Sequence, residues 1–362
     1  MSAALGGIVG IFEMPNTNPL TTTPEALEHK IKRGTETAYT DFAYYFGGTF
    51  ENSKNLPLWE KLDGVCGIKI FMGASTGNLL SATDEEVEAV VANGNRVIAV
   101  HAEDEFLMNE NKKTILKDSN DVGMHCKWRD VNSSLNATKR VVSLAKKHNR
   151  HVHVLHITTA EEMDYLRNHK DTATVEVLPN HLTFHAPDCY EQLGTLAQQN
   201  PPIREKHHQD ALWQAINDGT VDIVASDHAP HTLEEKSGTY PNTPSGTPGV
   251  QTLLPVMLNH AAKGKLSYER VVELMAYGPI KVHKLKNKCL ISEDYDADFT
   301  IVDPKMSHTI SNAEQASKSG WTPYDGMKIT GMPKMTIIRG QMVMREGELL
   351  DKIIAEPIAF NI

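Results

Sequence analysis

The stretch VDIVASDHAPH, residues 221–231, decides the fold prediction for this chain. Its apolar first half is typical of a buried strand, and one aspartate and two histidines follow where that strand ends. In a parallel α/β barrel the carboxyl ends of the strands carry the catalytic groups. A carboxylate there can bind a metal ion and accept a proton from water. Taken alone, the stretch is equally typical of a capped turn with surface histidines.

Apolar runs alternate with amphipathic runs along the chain, which predicts parallel strands joined by crossover helices. The predicted strands are residues 8–14, 42–46, 65–71, 97–101, 151–156, 174–178 and 221–227. The predicted helices between them are residues 24–38, 83–93, 134–148, 160–169 and 208–218. Seven strands are one fewer than a closed barrel of this class has. Because residues 2–7 are typical of the last turn of a helix with a glycine stop, we predict a (β/α)8 barrel whose first strand is missing from this chain.

The rest of the chain predicts a second, smaller unit. A loop rich in Gly, Pro, Ser and Thr at 232–249 is typical of a lid or binding loop. Helical patterns follow at 250–263, 267–276 and 279–285, and then strand patterns at 299–302 and 335–343, the latter containing a turn. We therefore predict a barrel over residues 1–290 and a tail over 291–362 that is mostly a small β-domain.

Composition excludes several classes of protein. The 362 residues are 40% hydrophobic and carry a net charge of −10, which supports a sizeable core and argues against a nucleic-acid partner. No run of 18 apolar residues predicts a membrane span, and the first residues lack the basic segment of a secretory signal. The four cysteines form no CxxC pair, which favours a reduced, cytoplasmic protein.

Two strands that end in histidine strengthen the metal hypothesis. His101 ends the strand 97–101, and His156 ends the strand 151–156. Together with Asp227 they form the imidazole and carboxylate set that is typical of catalytic zinc sites. Strict alternation in residues 151–156 predicts that Val152, Val154 and His156 face the barrel interior. His151 and His153 would then face the helices as ordinary packed or solvated histidines.

Lys69 is the only charged residue in the apolar strand 65–71. A buried, neutral lysine could react with carbon dioxide to give a carbamate, an anion able to bridge two metal ions. The alternative is a lysine that extends out of the barrel end. Asn16 and Asn200 lie in proline-stiffened turns, where their amides could face a ring ureide or carboxylate, although plain turn chemistry is the commoner explanation.

Nine sequence pieces carry a family resemblance. They are EMPNTNP (13–19), GIKIFMGASTGNLL (67–80), VIAVHAEDE (97–105), HVLHITTAEE (153–162), NPPIRE (200–205), SDHAPHTLEEK (226–236), PSGTPGVQT (244–252), YDADFTIVD (295–303) and TIIRGQMVMREGEL (336–349). In this order, and over nearly the whole chain, they resemble the amidohydrolase superfamily. Within it they are similar to the metal-dependent dihydroorotase family with a carboxylated lysine.

The resemblance implies a role for each matching residue. Lys69 would be the carbamate that bridges two zinc ions, His101 and His156 would bind the more exposed zinc, and Asp227 would bind the buried zinc and shuttle the proton. The substrate-binding residues would be Asn16, Asn200, His231 and Gly246, and His181 would lie near the barrel mouth. The implied activity is the reversible cyclisation of N-carbamoyl-L-aspartate to L-dihydroorotate in pyrimidine biosynthesis, by a zinc-activated hydroxide.

One motif of that family is absent from this sequence. The family ends its first barrel strand in His-x-His-x-Arg, which supplies two ligands of the buried zinc and an arginine for the substrate carboxylate. No His-x-His-x-Arg occurs in the 362 residues. We therefore expect the chain as it stands to be inactive. His181 and His228 are the first candidates for substitute ligands if it is active.

Two other hypotheses stay open from the sequence. One is a related cyclic-amide hydrolase of the dihydropyrimidinase or hydantoinase type. The other is a non-catalytic homologue that acts as a scaffold for a partner such as aspartate transcarbamoylase. For the enzyme we expect a small-molecule substrate, no nucleic-acid or membrane partner, a homodimer, and an association with aspartate transcarbamoylase.

Overall fold

A computed structural model describes residues 1–74, 79–117, 119–350 and 353–361, and it contains two β-sheets. The larger sheet has seven parallel strands in sequential order. They are β1 (Gly10–Glu13), β2 (Asp41–Gly47), β3 (Val65–Phe71), β4 (Ile98–His101), β5 (Val152–Val154), β6 (Ala173–Val177) and β7 (Ile223–Val224). All seven predicted strands are confirmed, although β7 is shorter than predicted. Residues 75–78 of the 67–80 motif lie outside the described residues.

Helices follow the strands, as the alternation predicts. They are α1 (Ser2–Leu5), α2 (Pro24–Thr37), α3 (Leu56–Trp59), α4 (Asp84–Val91), α5 (Glu105–Ile115), α6 (His125–Trp128), α7 (Val131–Lys147), α8 (Ala160–Arg167), α9 (Pro179–Thr183), α10 (Asp188–Leu193), α11 (Lys206–Asn217), α12 (Leu233–Lys236), α13 (Leu253–Ala262), α14 (Tyr268–Val272) and α15 (Gly278–His283). A π-helix at Glu273–Tyr277 joins α14 to α15. Capping residues fix where several of these helices begin. At α4, the Thr83 hydroxyl accepts from the Glu86 N–H and the Glu86 carboxylate accepts from the Thr83 N–H.

The seven-stranded sheet curls into a half-barrel with its helices outside. The valines of β4, β5 and β6 that face outward form one core with the helices, and among them are Val100, Val154 and Val175. In the described part of the chain, no strand pairs with the free edge of β1 or of β7. The sheet is therefore the incomplete (β/α)8 barrel that the sequence predicts, and the gap lies between its first and seventh strands.

The predicted facing of β5 is wrong. Val152 and Val154 belong to the core that packs against the helices, whereas Leu155 belongs to the cluster inside the barrel. His153 also points inward, where its Nδ1 lies 2.9 Å from the Thr174 hydroxyl. Both faces of a parallel strand in a barrel are buried, so alternation of apolar residues cannot tell the inner face from the outer one.

The smaller sheet is antiparallel and is built from the tail. Its strands are β8 (Phe299–Thr309), β9 (Lys328–Ile338), β10 (Gln341–Arg345) and β11 (Glu348–Leu349). Arg339 and Gly340, with φ of 47° and 74°, form the tight turn between β9 and β10. The predicted tail strands are thereby confirmed. In the described residues, no helix is long and apolar enough to cross a membrane.

Segments near both ends of the chain connect the two sheets by contacting the sheet at the opposite end of the sequence. Ala4 of α1 packs against Ile338 and Val343 of the antiparallel sheet. Near the other end, the Ile358 N–H donates to the Phe42 carbonyl of β2 at 2.8 Å. The boundary between residues 290 and 291 stays a prediction. A segment before it (α1) packs against the antiparallel sheet, and a segment after it (at Ile358) is hydrogen-bonded to the barrel.

A buried lysine joins the two sheets. The Lys288 ammonium lies 2.7 Å from a carboxylate oxygen of each of Asp41, Asp296 and Asp298. Arg339 also pairs with Asp41. Three carboxylates this close could hold a metal ion, but the Lys288 ammonium already supplies the positive charge at their centre. This cluster therefore joins the β2 end of the barrel to the segment that precedes β8.

We expect Lys288→Met to lower the free energy of unfolding by about 3–5 kcal/mol, since it leaves buried carboxylates without their cation. Urea denaturation followed by circular dichroism measures the change. Lys286→Met is the matched control, because Lys286 is exposed and two residues away. A loss no larger than in the control would show that the cluster does not stabilise the junction.

Candidate functional site

Two strand-end histidines meet at the carboxyl end of the parallel strands. The Nδ1 of His101 lies 3.1 Å from the Nε2 of His156, and both residues are buried. His101 points inward because it alternates with Val100 along β4. His156 by the same alternation would point outward, but its φ of +38° breaks the extended backbone and turns its side chain toward His101. Tertiary structure thus brings together two of the predicted ligands.

A carboxylate holds His101 from the other side. The Nε2 of His101 lies 2.8 Å from the Oε2 of Glu103, and the Arg129 Nε donates to both oxygens of Glu103 at 3.0 Å. Burial would raise the pKa of Glu103, but the charge of Arg129 and the contact with His101 outweigh it and hold that pKa well below its usual range. Burial lowers the pKa of His101 to about 4, so its ring is neutral. The Nε2–H of His101 therefore donates a hydrogen bond to the Glu103 carboxylate, and Nδ1 keeps its lone pair.

Three ionisable groups share the barrel interior beside these histidines. Burial lowers the pKa of Lys69 to about 7, although Asp227 and Glu176 favour its charged form. Burial raises the pKa of Glu176 to about 7. Burial and the Glu176 carboxyl raise the pKa of Asp227 to about 6. Asp227 lies three positions after Val224, which belongs to the outward-facing core, so strand alternation directs the Asp227 side chain inward; its φ is +42°.

Asn200 is held by a histidine that the sequence interpretation missed. The Nε2 of the buried His125 lies 2.9 Å from the Oδ1 of Asn200 and 3.0 Å from the carbonyl of Gln199. Its Nδ1 lies 3.2 Å from the hydroxyl of Tyr240, in the loop after β7. Burial lowers the pKa of His125 to about 3, so the neutral ring donates from Nε2 to Asn200. The Asn200 amide group then turns its N–H₂ end away from His125.

The loop at 232–249 is fixed to the Asn200 turn by a buried lysine. The Lys236 ammonium donates to the carbonyls of Gln198, Pro244 and Gly246 at 3.0, 2.9 and 3.2 Å. The Gly246 N–H donates back to the Gln198 carbonyl at 2.9 Å. A Cβ at Gly246, whose φ is +136°, would lie 2.5 Å from the carbonyl oxygen of Ala229, so only glycine fits. Both backbone groups of Gly246 are engaged in holding the loop.

The remaining predicted residues lie around this centre. His231 starts the loop after β7, and its carbonyl accepts from the Trp321 indole at 2.7 Å. Asn16 is half-buried beyond the end of the edge strand β1. His228 is exposed, and its Nδ1 accepts from the N–H groups of Gly249 and Val250. With that lone pair engaged, the Nδ1 of His228 is not available as a substitute ligand.

The residues that were missed differ in how easily the sequence could have revealed them. Glu103 follows a strand-end histidine by two positions, which is a usable signal for a carboxylate that orients a ligand. Glu176 sits in an apolar strand as Lys69 does, and the same argument applies to it. His125 lies on α6 and Arg129 directly follows it, and the sequence around these two residues gives no sign of the site. Lys236 ends the SDHAPHTLEEK piece, but nothing in that piece indicates that its side chain is buried against the Asn200 turn.

The chemistry of the site fits a metal centre. Within the described ranges, the buried side-chain atoms without a hydrogen-bond partner are the Thr21 hydroxyl, the Lys69 Nζ, and the Nδ1 atoms of His156 and His181. Three of these four atoms are nitrogens, and they belong to Lys69 on β3, to His156 just after β5, and to His181 on the helix that follows β6. Buried polar atoms are rarely left without a partner in native proteins, so such a cluster indicates a missing ligand. Lys69, His101, His156 and Asp227 are the residues that could hold the metal.

Comparison with known proteins agrees with this architecture. The sequence model described as the amidohydrolase family matches residues 7–343. The dihydroorotase of Methanosarcina acetivorans is 35% identical to this chain over 370 residues, which cover 98% of the chain and 77% of that protein. The dihydroorotase of Pyrococcus furiosus is 34% identical, with 97% of the chain and 76% of that protein covered.

A solved structure resembles the fold closely. The L-hydantoinase (dihydropyrimidinase) from Arthrobacter aurescens superposes with a TM-score of 0.94 at 29% sequence identity. The match covers 99% of this chain and 82% of that protein. The shared fold therefore includes both the half-barrel and the antiparallel sheet.

We expect Glu103→Gln to weaken zinc binding by about 10–100-fold, since a neutral amide accepts more weakly from Nε2 than a carboxylate does and no longer raises the basicity of the His101 ring. Competition with a chromophoric chelator measures the dissociation constant. Glu110→Gln, an exposed glutamate on α5, is the control. Equal zinc affinity in both variants would assign Glu103 to the Arg129 ion pair alone.

Proposed function

Because the chain belongs to the amidohydrolase family, we propose that it serves as a dihydroorotase, which interconverts N-carbamoyl-L-aspartate and L-dihydroorotate. The observation that carries the proposal is the 35% identity to a dihydroorotase over 98% of the chain. The inward-facing Lys69 and Asp227 add the chemistry that such a reaction needs.

The hydantoinase alternative has weaker support. The solved L-hydantoinase shares the fold at 29% identity, lower than the identity to the dihydroorotases. Dihydroorotate differs from dihydrouracil by a ring carboxylate, so the residues that contact this group would make the distinction. A substrate panel of dihydroorotate, dihydrouracil and hydantoin separates the two functions.

Dihydroorotases of the amidohydrolase family are generally metal-dependent, and the donor set here suits that dependence. We propose that Lys69, as a carbamate, bridges two zinc ions, with His101, His156 and Asp227 as further ligands. The lowered pKa of Lys69 supports this, because only the neutral amine reacts with carbon dioxide. Zinc bound there would polarise the ring carbonyl and make a nearby water more acidic.

Asp227 is the proposed proton carrier. In the hydrolytic direction water adds to the ring amide carbon, the C–N bond breaks, and the ring nitrogen leaves with a proton. Asp227 takes the proton from the attacking water and delivers it to that nitrogen. Asn16, Asn200, His231 and the Gly246 segment are proposed to hold the substrate, with the N–H₂ of Asn200 donating to it.

The missing His-x-His-x-Arg sequence sets the design of the test. We expect the 362-residue polypeptide to bind fewer than two zinc ions and to turn over dihydroorotate only at background rate. A chimera with the first barrel strand of a related dihydroorotase at its N-terminus should bind two zinc ions and be active. A chimera that prefers dihydrouracil or hydantoin would contradict the proposed substrate. Normal turnover by the 362 residues alone would show that the absent motif is not needed.

We expect Lys69→Ala in the chimera to lose bound zinc and activity, with partial recovery of activity in short carboxylic acids that replace the bridging anion. Elemental analysis and the dihydroorotate assay measure the two effects. Lys288 is unsuitable as a control because it joins the two sheets, so Lys286→Ala serves instead. Full zinc content in Lys69→Ala would assign Lys69 to the barrel lining.

We expect Asp227→Asn in the chimera to reduce turnover by at least about 10²-fold in both directions, because an amide cannot accept the proton. Steady-state assays of ring opening and of cyclisation measure it, with Asp222→Asn as a comparison outside the site. Turnover within a few-fold of the parent would place the proton transfer on another group, of which Glu176 is the nearest candidate.

The proposals on assembly and location rest on the family resemblance. They are a homodimer, an association with aspartate transcarbamoylase, and a cytoplasmic site of action. Light scattering of the purified chain, alone and with aspartate transcarbamoylase, tests the first two. A monomer that does not change its mass on mixing would contradict both.

A further inference from the structure

His181 lies beside the candidate site with one nitrogen unused. It belongs to α9, which follows β6, and it is 4% exposed. Its Nε2 lies 3.2 Å from the carbonyl of Pro201, which places the ring against the Asn200 turn. The Nδ1 of His181 is buried and has no partner in the described part of the chain.

A chain of hydrogen bonds leads to His181 from the C-terminal part of the protein. The Tyr324 hydroxyl lies 2.5 Å from the Oδ1 of Asn180, and the Nδ2 of Asn180 donates to the Oε1 of Gln199 at 2.7 Å. The Nε2 of Gln199 then lies 2.7 Å from the Nε2 of His181. A contact as short as 2.5 Å is typical of an O–H···O bond and too short for an amide N–H donor. The phenol therefore fixes the orientation of both amides.

This direction of donation sets the tautomer of His181. The Nε2 of His181 has two neighbours, the amide nitrogen of Gln199 at 2.7 Å and the carbonyl oxygen of Pro201 at 3.2 Å. The amide nitrogen can only donate, so at the shorter contact Nε2 must accept with its lone pair, and the longer contact to Pro201 is not a hydrogen bond. The neutral ring then carries its proton on Nδ1. Burial lowers the pKa of His181 to about 4, which agrees with a neutral ring. A protonated Nδ1 has no lone pair for a metal ion, so His181 is not a substitute zinc ligand. It instead presents a buried N–H donor without an acceptor.

We propose that His181 is a substrate-contacting residue whose Nδ1–H donates to an oxygen of the bound cyclic amide, and that Tyr324, Asn180 and Gln199 are positioning residues that fix this tautomer. The substrate identity rests on the proposed function, whereas the donor itself rests on the hydrogen-bond chain. The chemistry it recognises is a ring carbonyl or carboxylate oxygen. Among the described residues, no acceptor lies within hydrogen-bond distance of the His181 Nδ1.

The tautomer is tested by NMR on the 362-residue polypeptide labelled with ¹⁵N-histidine, with His181→Phe assigning the signals. We expect Nδ1 to be protonated and Nε2 to be unprotonated. Tyr324→Phe removes the first donor and should shift His181 toward the other tautomer. A wild-type His181 protonated on Nε2 would overturn the proposal, as would a tautomer unchanged in Tyr324→Phe.

The contact is tested by NMR titration, which measures weak dissociation constants. The probes are L-dihydroorotate, dihydrouracil and hydantoin, added to the zinc-saturated polypeptide. We expect His181→Phe to weaken the binding of whichever probe binds by about tenfold, the effect of leaving a buried acceptor unpaired. His208→Asn, a buried histidine of α11 outside the site, should bind as the wild type does.

The outcomes separate this inference from the proposed function. Binding of hydantoin or dihydrouracil in place of dihydroorotate would refute the substrate, while a tenfold loss in His181→Phe would still support the contact. Equal affinity in His181→Phe and wild type would overturn the contact whichever probe binds. Loss of zinc in His181→Phe would make the residue a ligand and overturn it too. Absence of binding of all three probes to the wild type would also count against the contact.

Discussion

The site depends on two residues whose backbone is left-handed. His156 and Asp227 have φ of +38° and +42°, a conformation that costs a non-glycine residue roughly 1–3 kcal/mol. In return, the His156 side chain leaves the direction that strand alternation would give it and points into the barrel mouth. At His156 this places a second imidazole 3.1 Å from His101. Without that turn, β5 would direct its terminal histidine toward the helices, and the proposed metal centre would lose a ligand.

Buried polar side chains inside the half-barrel are stabilised by hydrogen bonds to one another. Glu103 is buried between Arg129 and His101, and each of the three uses a partner that the others supply. His125 links the Asn200 turn to Tyr240 in the same manner. Such networks are costly when only partly satisfied. Among the described residues, the buried side-chain atoms without a partner are the Thr21 hydroxyl and three nitrogens, which belong to Lys69, His156 and His181.

Three buried lysines differ in the groups that surround them, and these surroundings indicate a structural role for two of the lysines and a chemical role for the third. Lys288 contacts three carboxylates, and Lys236 contacts three backbone carbonyls. Lys69 has no hydrogen-bond partner in the described residues, and its Nζ lies 4.1 Å from the centre of the Phe71 ring. The first joins the sheets and the second fixes a loop. The third is left reactive, which is the condition that a carbamate requires.

The sequence by itself determined the order of strands and helices, since hydrophobic periodicity and capping residues are local signals. It also indicated that His101, His156 and Asp227 lie at the carboxyl ends of strands. Parallel strands bring these ends to one rim, so the three residues were expected to lie at the same end of the barrel. Only the tertiary structure decided which face of β5 lies inside, because both faces of that strand are buried. It alone supplied Glu103's partner Arg129, the histidine that holds Asn200, and the path from Tyr324 to His181. Those contacts join residues 18 to 144 positions apart, and no local pattern encodes such a distance.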